Sequence, residues 1–250
     1  MSWIPLLGLA VTLVVLLLTE RWIHRHLQGT MLLLTGDREL AVVLYALPLM
    51  PGILLHEISH AAVAKLLGAR VGRVSVRPTL AGERIRLGFV PVEETDAVRA
   101  SLIGLAPLIT GSAAILLIGY LAFDIGALQH AFIQADWPST VRAFAGMLEA
   151  RDVWLWLYLI FAISNTMLPS ESDRRAWMPI VLFLILAVAV AWMAGLGPTI
   201  VNRIGQSVDL ATRWLVVVYG FTIAADSPFV LLIALVERIA ARTKGVRVEY

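Results

Sequence analysis

His56 and His60 stand four residues apart in LLHEISHAAVAKLL, residues 54–67, with Glu57 beside the first of them. On a helix the two imidazoles fall one turn apart on one face and can ligate a single metal ion, while Glu57 projects from the next position toward an open coordination site. The spacing is that of a zinc motif with the glutamate as general base. Zinc held in this way keeps a water in its fourth position and lowers that water's pKa toward neutrality, which makes hydrolysis feasible. The chain has no cysteine, so the remaining ligands must be histidine or carboxylate. The motif also sits in one of the most apolar stretches of the chain, where each ionisable group costs roughly 2.5 kcal/mol or more unless paired or coordinated. Three such groups in one turn call for a compensating partner.

Candidates for a third ligand are Glu93, Glu94, Asp96, Glu171, Asp173, Asp226 and the remaining histidines. His24, His26 and His130 fall in connections and read as solvated surface residues. Glu93, Glu94 and Asp96 read as a charged turn before an apolar span. Asp226 reads as the cap of a helix break at Ser227 and Pro228. The stronger candidate is Asp173, which follows FAISNTMLPSESDRRAW's apolar run and its Pro169; an ion pair from Arg174 would compete with the metal for it.

The elements that must position these groups are membrane helices. Of 250 residues, 59% are hydrophobic and 15% charged, with a mean hydropathy of +0.83, which predicts an all-α polytopic integral membrane protein in the lipid bilayer. The net charge of +2 does not imply nucleic acid as a partner, because most Lys and Arg flank apolar spans. Six spans are predicted, at 3–19, 40–67, 100–123, 153–169, 177–195 and 208–236, forming one membrane domain over 1–250. The first lacks a basic start and a cleavage site and reads as a retained anchor. Pro48 and Pro51 should kink the second span or restart its helix, Gly195, Gly197 and Pro198 should end the fifth, and the DSP at 226–228 should interrupt the sixth. With the N-terminus in the cytoplasm, Lys65, Arg70, Arg73, Arg77 and most other basic residues fall inside, leaving Arg21, Arg25, Arg38, Arg142, Arg151, Arg203 and Arg213 outside. The positive-inside rule therefore predicts that both termini are cytoplasmic. Between the second and third spans, Val74 and Val76, then Ile85, Leu87 and Phe89, alternate with other residues around PTLAG. That period of two predicts a membrane-associated β-hairpin at 70–92.

HEISH within a span, a hairpin segment after it, SLIGLAPLITG opening the next span, and Asn165 eight residues before Asp173 together resemble the site-2 protease family of intramembrane zinc metalloproteases. The resemblance covers residues 40–175 and implies a three-helix catalytic core there. It implies that His56, His60 and Asp173 bind Zn2+, that Glu57 is the catalytic carboxylate, and that Asn165 steadies the substrate or the developing oxyanion. The implied substrate is a transmembrane segment of a membrane protein. The surroundings differ from the family pattern at Ser59, Ala106, Ser172 and Arg174. The alternatives are a catalytically degenerate member acting as a membrane scaffold or binding module, and a small ion transporter in which His56, Glu57, His60, Asp173 and Asp226 line an ion path.

Overall fold

The computed structural model describes residues 3–81, 84–134, 136–170, 172–174 and 177–245. Long apolar helices dominate the chain. In order they are α1 (Trp3–Thr35), α2 (Arg38–Ala46), α3 (Met50–Leu66), α4 (Ala97–Phe123), α5 (Ile125–Ile133), α6 (Trp137–Leu148), α7 (Val153–Met167), α8 (Trp177–Met193) and α9 (Gly197–Lys244). The protein is thus an all-α membrane protein apart from, among the described residues, one short strand pair, and these residues include four helical stretches long and apolar enough to cross a bilayer: Pro5–Thr35, Arg38–Leu66, Ala97–Phe123 and Arg203–Lys244. The expected count of six is not met by length. At 1.5 Å per residue the 15 residues of α7 extend only about 22 Å, short of the roughly 30 Å of hydrocarbon in a bilayer.

Prolines act as the backbone chemistry requires in one place and are tolerated in another. Pro48 starts a 3-10 turn at Leu47–Leu49 and Pro51 sits in the first turn of α3, so the second apolar stretch restarts its helix as expected. Gly195, with φ of 74°, separates α8 from α9. Pro228, by contrast, does not interrupt the last helix, since α9 runs unbroken through it for 48 residues. Asp226 therefore caps no helix break. Proline inside a membrane helix is accommodated where neighbours and hydroxyl side chains take up the freed backbone groups, and Ser227 Oγ donates to the Ala224 carbonyl at 2.7 Å.

Between α3 and α4, Thr79–Ala81 (β1) pairs antiparallel with Arg84–Arg86 (β2), with Leu80 opposite Ile85. The segment expected to turn, PTLAG, thus contributes a strand of its own, and its Gly82 lies outside the described residues. The Val74 and Val76 run forms no strand and is held by isolated bridges, Val71 to Val92 and Ser75 to Phe89, with the Gly72 N–H also donating to the Pro91 carbonyl and the Glu93 N–H to that of Arg70. Asp96 then caps α4, accepting from the backbone N–H groups of Val98 and Arg99. The Arg99 N–H in particular holds its carboxyl below the usual range.

Helices α3, α4 and α7 pack against one another, and α1 packs along α9. Two apolar clusters run through the molecule. One gathers Leu16, Ile115, Ile118, Phe123, Leu157, Val218 and Phe221; the other gathers Ile23, Leu27, Tyr45, Ile53, Phe161 and Ile233. Both α1 and α9 pass from the first cluster to the second. They run parallel, with Gly8 beside Val216, His26 Nδ1 bonded to Glu237 Oε2 at 2.6 Å, and Lys244 Nζ donating to the Leu34 carbonyl at 3.1 Å. The two helices therefore begin toward the same end of the bundle.

Candidate metal centre

The three predicted ligands meet. His56 and His60 project from one face of α3, and the chain beyond the end of α7 carries Asp173 to them. The two Nε2 atoms are 3.1 Å apart, and Asp173 lies 3.4 Å from His60 Nε2 through Oδ1 and 3.9 Å from His56 Nε2 through Oδ2. Each imidazole is fixed from behind. His56 Nδ1 donates to the Thr166 carbonyl at 2.6 Å and His60 Nδ1 to the Ile103 carbonyl at 2.8 Å. A carbonyl can only accept, so a proton sits on Nδ1, and in the neutral form of each ring Nε2 turns a lone pair inward.

Two lone pairs and a carboxylate facing one another are repulsive unless a cation lies between them. Tetrahedral zinc with Zn–N bonds of about 2.05 Å separates two nitrogen donors by about 3.3 Å, which the His56–His60 spacing matches. Asp173 is oriented in turn by Ser170, whose backbone N–H donates to Oδ2 at 2.8 Å and whose hydroxyl donates to the same oxygen. Outer contacts of this kind aim ligands and tune their basicity. Among the described residues Arg174 makes no ion pair with Asp173; its Nε reaches the Ser170 carbonyl instead. Close packing sets the distance across the site, because a Cβ on Gly104 of α4 would collide with the Asp173 carbonyl.

Glu57 follows His56 on α3 and is buried, 7% exposed. The chain at Gly88 lies directly on its carboxylate, and any side chain there would strike it. A glycine inside a period-two run is the sequence signal for such a close approach, and it went unread. The ligands and Glu57 open into a cavity of about 1350 Å³, lined on one side by Leu87–Val92, on another by Asn165, Ser170 and Ser172, and on a third by Glu20, His24 and Gln28 of α1.

Asn165 is buried at 2% exposed. Its Nδ2 donates to the Phe161 carbonyl at 2.9 Å and to Ser164 Oγ at 3.1 Å, while Oδ1 is itself buried and has no partner among the described residues. Both amide hydrogens are engaged, so this residue has no donor left to offer.

The other carboxylates stand apart from the cluster. Glu93 and Glu94 are exposed, Glu93 near Arg70, Asp96 caps α4, and Glu171 lies outside the described residues. Asp226 is fully buried and accepts from Ser164. His130 is exposed as expected, beside Gln134. His24 and His26 are not solvated loop residues. They lie within α1, where His24 Nδ1 pairs with Tyr45 Oη at 2.6 Å and lies near Glu20, and His26 stacks on Trp22.

No family model, characterised protein or solved structure matches this chain. The metal-ligating geometry carries the reading by itself.

Proposed function

We propose that the protein is an intramembrane zinc metalloprotease that hydrolyses peptide bonds of membrane-embedded substrates. The observation that carries this reading is the convergence of two carbonyl-tethered imidazoles and Asp173 beside the buried Glu57, all opening on one cavity. His56, His60 and Asp173 hold the ion, which when bound supplies Lewis acidity toward a carbonyl and brings the pKa of a water toward neutrality. Glu57 takes a proton from the attacking water as the C–O bond forms, then gives it to the leaving nitrogen as the C–N bond breaks. With both its amide hydrogens engaged and its Oδ1 buried, Asn165 serves as a fixed part of the cavity wall against which substrate rests rather than as an oxyanion donor.

A transmembrane helix presents no free amide to such a site, so the substrate must unwind locally. The segment at 87–90 is suited to receive it. Phe89 exchanges both backbone bonds with Ser75, at 2.9 and 2.8 Å, so by strand alternation the backbone groups of Gly88 and Val90 turn the opposite way. An extended substrate adding there as a strand would lie beside Glu57.

The metal-bearing face is the cytoplasmic one in this reading. Because α1 runs from the first apolar cluster to the second, Arg21, Arg25 and Arg38 join Lys65, Arg70, Arg238 and Arg242 toward the metal, and Arg142, Arg151, Arg203 and Arg213 remain at the other end. The basic asymmetry is sharper than a six-span alternation gives, and it puts the N-terminus on the non-cytoplasmic face. The test is co-expression with single-span membrane substrates: Glu57→Gln should lower cleavage on the order of 10²- to 10⁴-fold while the purified protein retains its zinc. Undiminished cleavage by that variant removes Glu57 from the mechanism.

A further inference from the structure

Asp226 is a carboxylate in a long apolar helix, 1% exposed, and the proposed hydrolysis has no use for it. Such residues are retained against a cost of several kcal/mol and act where they find partners. Its partner is on another helix. Ser164 Oγ of α7 donates to Asp226 at 3.0 Å to Oδ1 and 3.3 Å to Oδ2. That same hydroxyl oxygen accepts from Asn165 Nδ2 at 3.1 Å. A directional chain therefore runs from the Asn165 amide through the Ser164 hydroxyl to a carboxylate on α9, and all three groups are buried.

The Phe161 carbonyl explains why the carboxylate matters. It lies 2.9 Å from Asn165 Nδ2 and 3.0 Å from Ser164 Oγ, and in the helix it also receives a backbone N–H. Without Asp226, the Ser164 proton has only this crowded carbonyl to turn to and competes there with the amide. With Asp226 present, Ser164 donates outward to α9 and presents its lone pairs to Asn165. The amide is then held by two acceptors, and its free Oδ1 keeps a single direction.

We propose that Asp226 is a positioning residue, which through Ser164 locks the orientation of the Asn165 amide and so fixes the part of the cavity wall that Asn165 forms. This rests on the proteolytic reading only for the substrate that meets that wall; the tether itself does not depend on it. The metal cluster is bypassed, since none of these three residues ligates the ion.

The chain has only two asparagines, Asn165 and Asn202, so selective ¹⁵N-asparagine labelling gives two side-chain amide signals, assigned with Asn202→Gln. In the full-length protein, Asp226→Leu and the less bulky change Ser164→Ala should each speed hydrogen exchange of the Asn165 amide about tenfold, whereas Asp226→Asn, which keeps an acceptor, should leave it near native. With a cleavable substrate, Asp226→Leu should raise KM about tenfold with kcat and zinc content held, and should add nothing in an Asn165→Ala background. Unchanged amide exchange in both Asp226→Leu and Ser164→Ala overturns the tether. So does a loss confined to kcat or to zinc. If the native chain cleaves nothing, the protease reading falls while the amide signals still decide the tether.

Discussion

The two ends of the helix bundle share α1, α4 and α7 and solve opposite problems. At one end Ile115, Ile118, Phe123, Leu157, Val218 and Phe221 close on one another, with the rings of Phe123 and Phe221 5.6 Å apart edge to face. At the other, α3, α4, α7 and α1 leave a cavity and turn His56, His60, Glu57, Asp173, Glu20 and His24 toward it. The first end is stabilised by dispersion and excluded volume, which any well-fitting apolar side chain supplies. The second is held by directed contacts, a carbonyl behind each imidazole and a serine behind the aspartate. The apolar end fixes where the helices lie, and the polar end uses that rigidity to hold charges that lipid disfavours.

Deleting a ligand tests the polar end most severely. Asp173→Ala should weaken zinc binding on the order of 10³-fold, measured by competition with a chelator, while Asp226→Ala leaves it within a fewfold of native. Equal retention by both variants would mean that the polar end is not organised around Asp173. Cavity creation tests the opposite end. Ile160 is fully buried in the apolar cluster, and Ile160→Ala should lower stability by about 2–5 kcal/mol in a denaturant titration with zinc affinity unchanged. A matching loss of metal affinity would show that the two ends are not independent.

The least perturbing experiment changes no energy and reads only which end faces which compartment. The native chain has no cysteine, so Glu149→Cys beyond α6 and Arg73→Cys near the metal end each give one reporter for an impermeant thiol reagent. Glu149→Cys and an N-terminal tag should be reached in intact cells, and Arg73→Cys only after permeabilisation. The reverse pattern inverts the molecule, and labelling of the tag together with Arg73→Cys restores a shared side for the N-terminus and the metal face.

Legibility in the sequence followed the range of the interaction. The pairing of His56 with His60 is set by one helical turn, and Glu57 follows from it, so these three were readable from spacing alone. Asp173 could be ranked first because it follows an apolar run, but its approach depends on Gly104 letting α4 come close. Hydropathy misread α1. The run TERWIHRHLQGT looks like a loop because it is polar, yet it continues the helix to Thr35, with Glu20 and His24 on the cavity and His26 against Glu237. Helices α5 and α6 were hidden in the same way inside a presumed connection.

By itself the sequence determined that this chain enters a bilayer and that one helical turn carries two imidazoles placed to share a metal ion, because both follow from composition and from local periodicity. Only the tertiary structure decided that α1 and α9 run parallel, that the Thr166 and Ile103 carbonyls set the imidazole tautomers, and that Asp226 reaches Asn165 through Ser164. Each of those depends on which helix lies beside which, and on atoms dozens of residues apart meeting within 3 Å or so, a relation that no local pattern encodes.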